Sequence, residues 1–508
     1  MSRTHLRISR RTWGALCSLA SLSLLGCGNT SATANTGSSA GGTDGGSVSA
    51  ITPPTAGSAA GGKTSGAAGA PSAAGETSLA GGASGGLMDN GGAAGMGLGS
   101  AGKPNNDCSE MPIRTRAPAG KEAFDYEPQD QKFPFSGHWV GVFSDDPRYV
   151  GATTLGDFDH DGDLDFADAQ REDVGGGALW WEYCGPDHWV RHVIGIGHQF
   201  WSGGSSADFD GDGWADVIIG DSWYRNPKNP RISKWDRFPT GGPKPEEIIL
   251  GDVTGDKKPE ALYVHKNFQP QFWSLGADPT KLWTRGPLLE HNQQQGGAIA
   301  DFDGDGHNDI LVGYRWWYRN VKGDGTQWET VEIFAGGFDD SPLTYQGDFD
   351  GDGDIDFAMV THFGAQVAWA SNDDGKGHFT MHKLATDKNF LHTIVAADFD
   401  NDGDLDLLVG NNVGKSFIYE NTNGKGTFVE HLIAADTRSH EARVGDIDCD
   451  GDLDIVGAPW GDQNEGGENT KPLRDHVYLK NEFVERGGKP LFERQPFELG
   501  LAANCKKP

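Results

Sequence analysis

The chain has 508 residues, a formal net charge of -31 and a sequence pI of about 4.7. That length exceeds one ordinary compact core unless the fold is a repeat or a barrel. The acidic balance excludes a nucleic-acid partner, whose phosphates need a basic surface, and the placement of the acids decides whether they merely solubilise the surface or await cations.

Arg3, Arg7, Arg10 and Arg11 precede a short apolar run from Trp13 to Leu25. This is the pattern of an export signal, too short to span a bilayer as a mature helix. It ends in Leu24-Leu25-Gly26-Cys27, which resembles the lipobox of bacterial lipoproteins. The resemblance implies a signal over residues 1–26, diacylation of Cys27, and anchoring to the cell envelope; Gly28 favours the outer membrane. From Gly28 to about Asn106 the composition collapses to Gly, Ala, Ser and Thr. Such a segment buries too little apolar surface to offset its ordering entropy, so residues 27–107 read as a disordered tether. Its r.m.s. span is about 50 Å. Residues 108–137 read as an N-terminal extension and 138–508 as the folded domain. Cys108, Cys184, Cys449 and Cys505 remain once Cys17 leaves with the signal and Cys27 is lipidated. An even number in an exported chain predicts two disulfides, with three connectivities open.

Beyond Cys108 the chain repeats. Seven Asp-rich loops begin at Asp157, Asp208, Asp252, Asp301, Asp348, Asp398 and Asp446, at steps of 51, 44, 49, 47, 50 and 48 residues. Around them the pattern is β: small residues before (Gly297-Ala298-Ile299-Ala300), apolar residues after (Ile310-Leu311-Val312), then an aromatic strand (Trp316-Trp317-Tyr318) and a more polar one. Four strands per period of about 48 residues predict an all-β, seven-bladed propeller, closed so that no sheet edge is left open. Gly137-His138-Trp139-Val140-Gly141-Val142 reads as an extra strand that completes the C-terminal blade, a place for which the tail from Leu491 to Gln495 competes. Trp180, Trp223, Trp273, Trp316 and Trp369 recur in the third strands, and recurrence at the blade period reads as packing between blades.

In six loops carboxylates occupy positions 1, 3, 5 and 9, with Gly at position 6: Asp157, Asp159, Asp161 and Asp165; Asp208, Asp210, Asp212 and Asp216; Asp301, Asp303, Asp305 and Asp309; Asp348, Asp350, Asp352 and Asp356; Asp398, Asp400, Asp402 and Asp406; Asp446, Asp448, Asp450 and Asp454. Calcium takes six to eight oxygens, and alternating Asp in a tight turn converges them. An EF-hand is excluded, because position 12 is Ile219, Val312, Met359, Val409 and Gly457 in five of the loops and the flanks are strands. The expected cofactor is therefore calcium at about six sites. The loop from Asp252 departs, with Thr254 at position 3 and Lys257 at position 6; it is expected to keep the turn and bind calcium weakly or not at all.

Segments such as Ala207-Asp208-Phe209-Asp210-Gly211-Asp212-Gly213 and Ala397-Asp398-Phe399-Asp400-Asn401-Asp402-Gly403 resemble the FG-GAP/VCBS repeat family, which includes integrin α-subunit heads. The resemblance covers about residues 138–500. It implies calcium loops on a propeller used for adhesion, for protein or carbohydrate binding, and occasionally for carbohydrate chemistry.

Chain direction puts all the loops on one rim. The opposite face is expected to carry Gln170, Arg171, Asp221, His265, Tyr314, Arg315, His362, Asn411, Asn412 and Trp460, together with His198, His291, His392 and His440. These histidines form a candidate ligand face, read either as a transition-metal or general-base cluster or as loop histidines that order blade junctions. The favoured function is adhesion or recognition of a glycan or protein partner. The alternative is a carbohydrate-active lyase, dehydratase or hydrolase. No nucleophile elbow, phosphate loop, dinucleotide fingerprint or zinc-protease motif occurs, so binding is preferred to catalysis.

Overall fold

A computed structural model describes residues 128–142, 150–170, 177–198, 202–291, 295–335, 342–412, 414–435, 439–458 and 475–491. The export signal, Cys27, the tether, Cys108, Cys505, Arg171 and Trp460 lie outside these residues. Among the described residues no helix is long and apolar enough to cross a membrane.

The described residues form seven four-stranded antiparallel sheets, and the chain is an all-β, seven-bladed propeller as expected. In blade 1 the strands Val150–Gly156, Asp165–Gln170, Gly177–Tyr183 and Trp189–Ile196 pair in chain order. The first strands, including Gly204–Ala207, Gly297–Ala300 and Leu391–Ala397, touch one another in succession, and that of blade 7, Glu441–Gly445, meets that of blade 1. Small residues suit this crowded inner ring: Gly204 lies so close to blade 1 that an added Cβ would meet the Ala152 carbonyl oxygen at 2.5 Å. Second strands such as Asp216–Ile219 and Asp309–Val312 are buried throughout, whereas the fourth strand of blade 6, Phe428–Ala434, is mostly exposed or half-buried.

Blade 7 closes the ring. Its outermost strand is Phe135–Val142, paired with Asp475–Asn481 so that Phe135 faces Asn481 and Val142 faces Asp475. The expected N-terminal strand thus completes the blade, beginning three residues before the boundary read at 138. The competing tail beyond Leu491 lies outside the described residues. Where blades 7 and 1 meet, His476 Nε2 contacts Asp168 Oδ2, and both side chains are fully buried. Trp181 donates to the other oxygen of Asp168 at 3.2 Å.

Apolar packing runs between blades. One core cluster joins Phe349, Val360 and Trp369 of blade 5 to Ile394, Leu407, Val409 and Tyr419 of blade 6. Trp180, Trp223, Trp273 and Trp369 are at most 8% exposed. The third and fourth blades correct the sequence reading. In blade 3 Phe272, opposite Leu262, takes the recurrent place, and Trp273 lies one residue on, opposite Ala261. In blade 4 Trp317 takes it, opposite Leu311 as Trp369 is opposite Ala358, while Trp316 is half-buried and stacked on His291. A five-member asparagine ladder adds polar fastening. Asn226, Asn320, Asn372, Asn421 and Asn481 each donate Nδ2 to a loop carbonyl of another blade: those of Phe158, Val253, Phe302, Phe349 and Phe399, at 2.8 to 3.2 Å. Losing one donor strands a buried carbonyl and costs about 1–3 kcal/mol.

Candidate metal loops and a histidine cluster

Each Asp-rich loop joins the first and second strands of its blade, so the loops share one rim. Within them the carboxylates divide their duties. The Asp at position 1 accepts from the turn's own amides: Asp398 takes Asp402 N at 3.0 Å and Gly403 N at 3.0 Å, and Asp208 and Asp301 do the same. Position 5 accepts from the amide two residues on, as Asp352 does from Asp354 at 3.0 Å. Position 9 staples the blade. Asp406 Oδ1 takes Asn421 N at 2.8 Å and its Oδ2 takes Phe399 N at 3.1 Å, a pattern repeated by Asp165, Asp356 and Asp454.

Position 3 does less: in loop 1 Asp159 takes Asp161 N at 3.2 Å through Oδ1, and in the other loops with Asp there one oxygen stays out of the network. Oδ1 of Asp210, Asp303, Asp350, Asp400 and Asp448 is buried and accepts no hydrogen bond. Carboxylate oxygens at positions 1, 3 and 9 lie within 4.8 Å of one another in loops 1, 2 and 4. Loop 3 keeps the turn: Asp252 accepts from Gly255, Asp256 and Lys257, and Glu260 takes Val253 N at 2.8 Å. At its position 3, however, Thr254 donates its hydroxyl to Glu260 at 3.2 Å, so the loop closes on itself.

Burial, reinforced by neighbouring loop carboxylates, raises the position-9 groups. Asp309 and Asp356 are pushed up to about 7, Asp216 and Asp406 to about 8, and Asp165 and Asp454 well above the usual range. Burial likewise pushes Asp159 up to about 7. Crowded, desolvated carboxylates of this kind are deprotonated most readily by a bound cation.

Side-chain cations also reach the loops, a feature the sequence reading missed. In blades 2, 4 and 7 the residue before the ladder asparagine is basic. Arg225 lies 2.6 Å from Asp210 Oδ2, Arg319 pairs with Asp303, and Lys480 pairs with Asp448 and lies 2.6 Å from Asp450. Blades 1 and 6 carry Glu182 and Glu420 there and take their cation from elsewhere. Arg231 is 2.5 Å from Asp159 and 2.7 Å from Glu182, and Lys132 is 2.7 Å from Asp400. Blade 5 has the neutral Ser371, and among the described residues no cation pulls down Asp350, Asp354 or Asp356. A Lys or Arg just before the third-strand asparagine was the available sequence signal.

The opposite face brings some histidines together and leaves others apart. His198 is buried as a junction residue, with Nδ1 3.0 Å from Tyr224 Oη and Nε2 3.0 Å from the Gln170 carbonyl. His291 is exposed and stacks on Trp316. Neither joins a cluster, whereas His392 and His440 stack with centroids 3.7 Å apart and His362 meets His392 edge-on at 5.5 Å. Glu246, which the sequence reading missed, lies 3.5 Å from His265 Nε2 and 3.8 Å from His392 Nε2. Of the other residues placed on this face, Asp221 pairs with Arg237, Arg315 with Glu332, and Asn412 lies 3.4 Å from His362. Between the inner strands lies an axial cavity of about 540 Å³ lined by Glu247, Thr344, Tyr345, Gln346 and Arg443 among others. Cys184 and Cys449 are both disulfide-bonded.

The FG-GAP-like repeat model matches residues 208–263, 348–409 and 398–457. No curated protein matches. Among solved structures, the chain is similar to an Agrocybe aegerita lectin that recognises non-reducing terminal N-acetylglucosamine, at 16% identity and a TM-score of 0.43, over 61% of this chain and 94% of that one. It is similar to the V. cholerae biofilm matrix protein Bap1 at 12% identity and a TM-score of 0.29, over 66% and 70% of the two chains. It is also similar to BBS1N, solved in complex with ARL6DN, at 13% identity and a TM-score of 0.40, over 68% and 97%. By its sheet topology the chain is a seven-bladed β-propeller, and within it residues 208–263 and 348–457 match FG-GAP-like repeats.

Proposed function

We propose that this chain is an exported, lipid-anchored surface protein whose propeller is stiffened by calcium and holds a glycan or protein partner on the face opposite the loops. The observation that carries the calcium part is the buried position-3 oxygen, such as Asp350 Oδ1, which accepts nothing in a turn whose carboxylates at positions 1, 5 and 9 are bonded to backbone amides. A hard divalent ion is the partner such an oxygen fits, together with the oxygens at positions 1, 5 and 9 and a position-7 carbonyl. The anchor is read from Leu24-Leu25-Gly26-Cys27 and the tether that follows. A rigid ring on a long tether suits recognition, and the aromatic and polar groups near the axis suit a sugar.

The test is a glycan array probed with the full chain carrying Cys27→Ser, in calcium and in chelator. Saturable binding to a defined glycan that chelation abolishes and calcium restores is the expected result. Binding of the same glycan with unchanged strength and unchanged protein stability after calcium removal contradicts it. Incorporation of labelled palmitate by the wild type, lost in Cys27→Ser, tests the anchor.

A further inference from the structure

The cluster at the axis is built from four blades. Glu246 precedes the first strand of blade 3 and His362 follows the second strand of blade 5, while His392 lies in the first strand of blade 6 and His440 and Glu441 at the start of that of blade 7. All five are at least nine-tenths buried. Burying this many ionisable groups is costly unless something compensates them. Three ligand atoms, one each from His392, His440 and Glu441, lie within 4.8 Å of one another. Glu441 Oε1 is buried and accepts no hydrogen bond. His392 Nδ1 is 3.2 Å from the His440 carbonyl, which fixes the proton on Nδ1 and leaves the Nε2 lone pair facing Glu246. An imidazole oriented through its other nitrogen by a carbonyl is the arrangement a metal-binding histidine needs.

We propose that His392, His440 and Glu441, with Glu246 from across the ring, form a binding site for one divalent transition-metal ion of the zinc class. Imidazole nitrogens select such ions over calcium, which the all-oxygen loops suit. Zinc needs ligands at about 2.0–2.2 Å, so tetrahedral ligand atoms sit roughly 3.3 Å apart, and side-chain shifts of about 1 Å close the site. Burial drives the imidazoles toward the neutral, ligating form, with His392 lowered to about 3 and His440 well below its usual value. The same burial raises Glu441 to about 7, a charge the ion restores.

The experiment strips the full chain of metal, fills the loops with excess calcium and titrates Co2+ and Zn2+. Expected are one Co2+ per chain with a visible d–d band, a rise in Tm on adding Zn2+, and a zinc-edge X-ray absorption spectrum with imidazole nitrogen in the shell. Glu246→Gln weakens binding about 10–100-fold, and His440→Gln abolishes the band, while substitution of the exposed histidine, His378→Gln, leaves it unchanged. No uptake with the loops calcium-filled, or an all-oxygen zinc shell, overturns the proposal. So does full uptake by a His392→Gln, His440→Gln double variant with a native circular dichroism spectrum. Calcium occupancy is read separately, so this site can fail while the loop reading stands.

Discussion

Loops 3 and 5 make the same turn and differ in chemistry. Asp252 and Asp348 cap their turns through the same kind of backbone bonds. Glu260 and Asp356 staple the following strand to the residue after position 1. At position 3, Thr254 satisfies itself on Glu260, whereas Asp350 has a buried oxygen that accepts nothing. Loop 5 also holds five Asp between Asp348 and Asp356, with no neutralising Lys or Arg at Ser371. Positions 1, 5 and 9 therefore fasten the turn in both loops, and the loops differ in the third position and the charge behind it, which is where the calcium proposal places the demand for a cation.

Removing calcium tests this most severely. At a hundredfold excess over its Kd, each occupied site adds about 2.7 kcal/mol, so emptying about six lowers Tm on the order of 20 °C. A differential scan in chelator measures it, and an unchanged Tm breaks the comparison, because loop 5 would then behave like loop 3. Second is Lys480→Met, which strips loop 7 of its internal cation and makes it resemble loop 5. In chelator it costs about 3–5 kcal/mol, as loss of one partner from a buried ion pair does. In calcium the cost shrinks, and loop 7 binds calcium more tightly by calorimetry, since ligand charge tunes affinity. Third, Asp350→Asn loses one calcium and about 2–3 kcal/mol. Thr254→Ala loses no calcium and only about 1 kcal/mol, the value of an ordinary hydrogen bond. The smallest effect is on pH. Asp356 and Asp406, raised to about 7 and about 8 in the folded chain, favour folding while protonated. Calcium-free protein therefore loses Tm as pH rises from about 4 to about 8, and calcium flattens the slope. A calcium-free Tm that rises over that range contradicts the assignment.

The blade count and the rim of loops were legible in the sequence, because the spacing of Asp157, Asp208, Asp252 and their successors fixes a period; two segments competed to close the ring, and the pairing of Phe135–Val142 with Asp475–Asn481 gave the place to the first. The distinctness of loop 3 was legible too, through Thr254 and Lys257. Other features were not. The recurrent tryptophan of blade 4 is Trp317, and choosing it over its neighbour Trp316 required the strand register. The cations Arg231 and Lys132 come from a neighbouring blade and from the segment before the ring, contacts that a blade-by-blade reading does not generate. Four histidines at comparable places gave two that meet, His392 and His440. His362, already placed on that face, joins them, but the carboxylates Glu246 and Glu441 were set by closure of the ring, which brings blade 3 against blade 6 across the axis.

The most direct measurement is the calcium content of the purified full chain, equilibrated with calcium and freed of excess by gel filtration. The position-3 argument predicts about six ions per chain, one fewer in Asp350→Asn and no change in Thr254→Ala. Less than one ion per chain, or a loss of calcium in Thr254→Ala equal to that in Asp350→Asn, would contradict it.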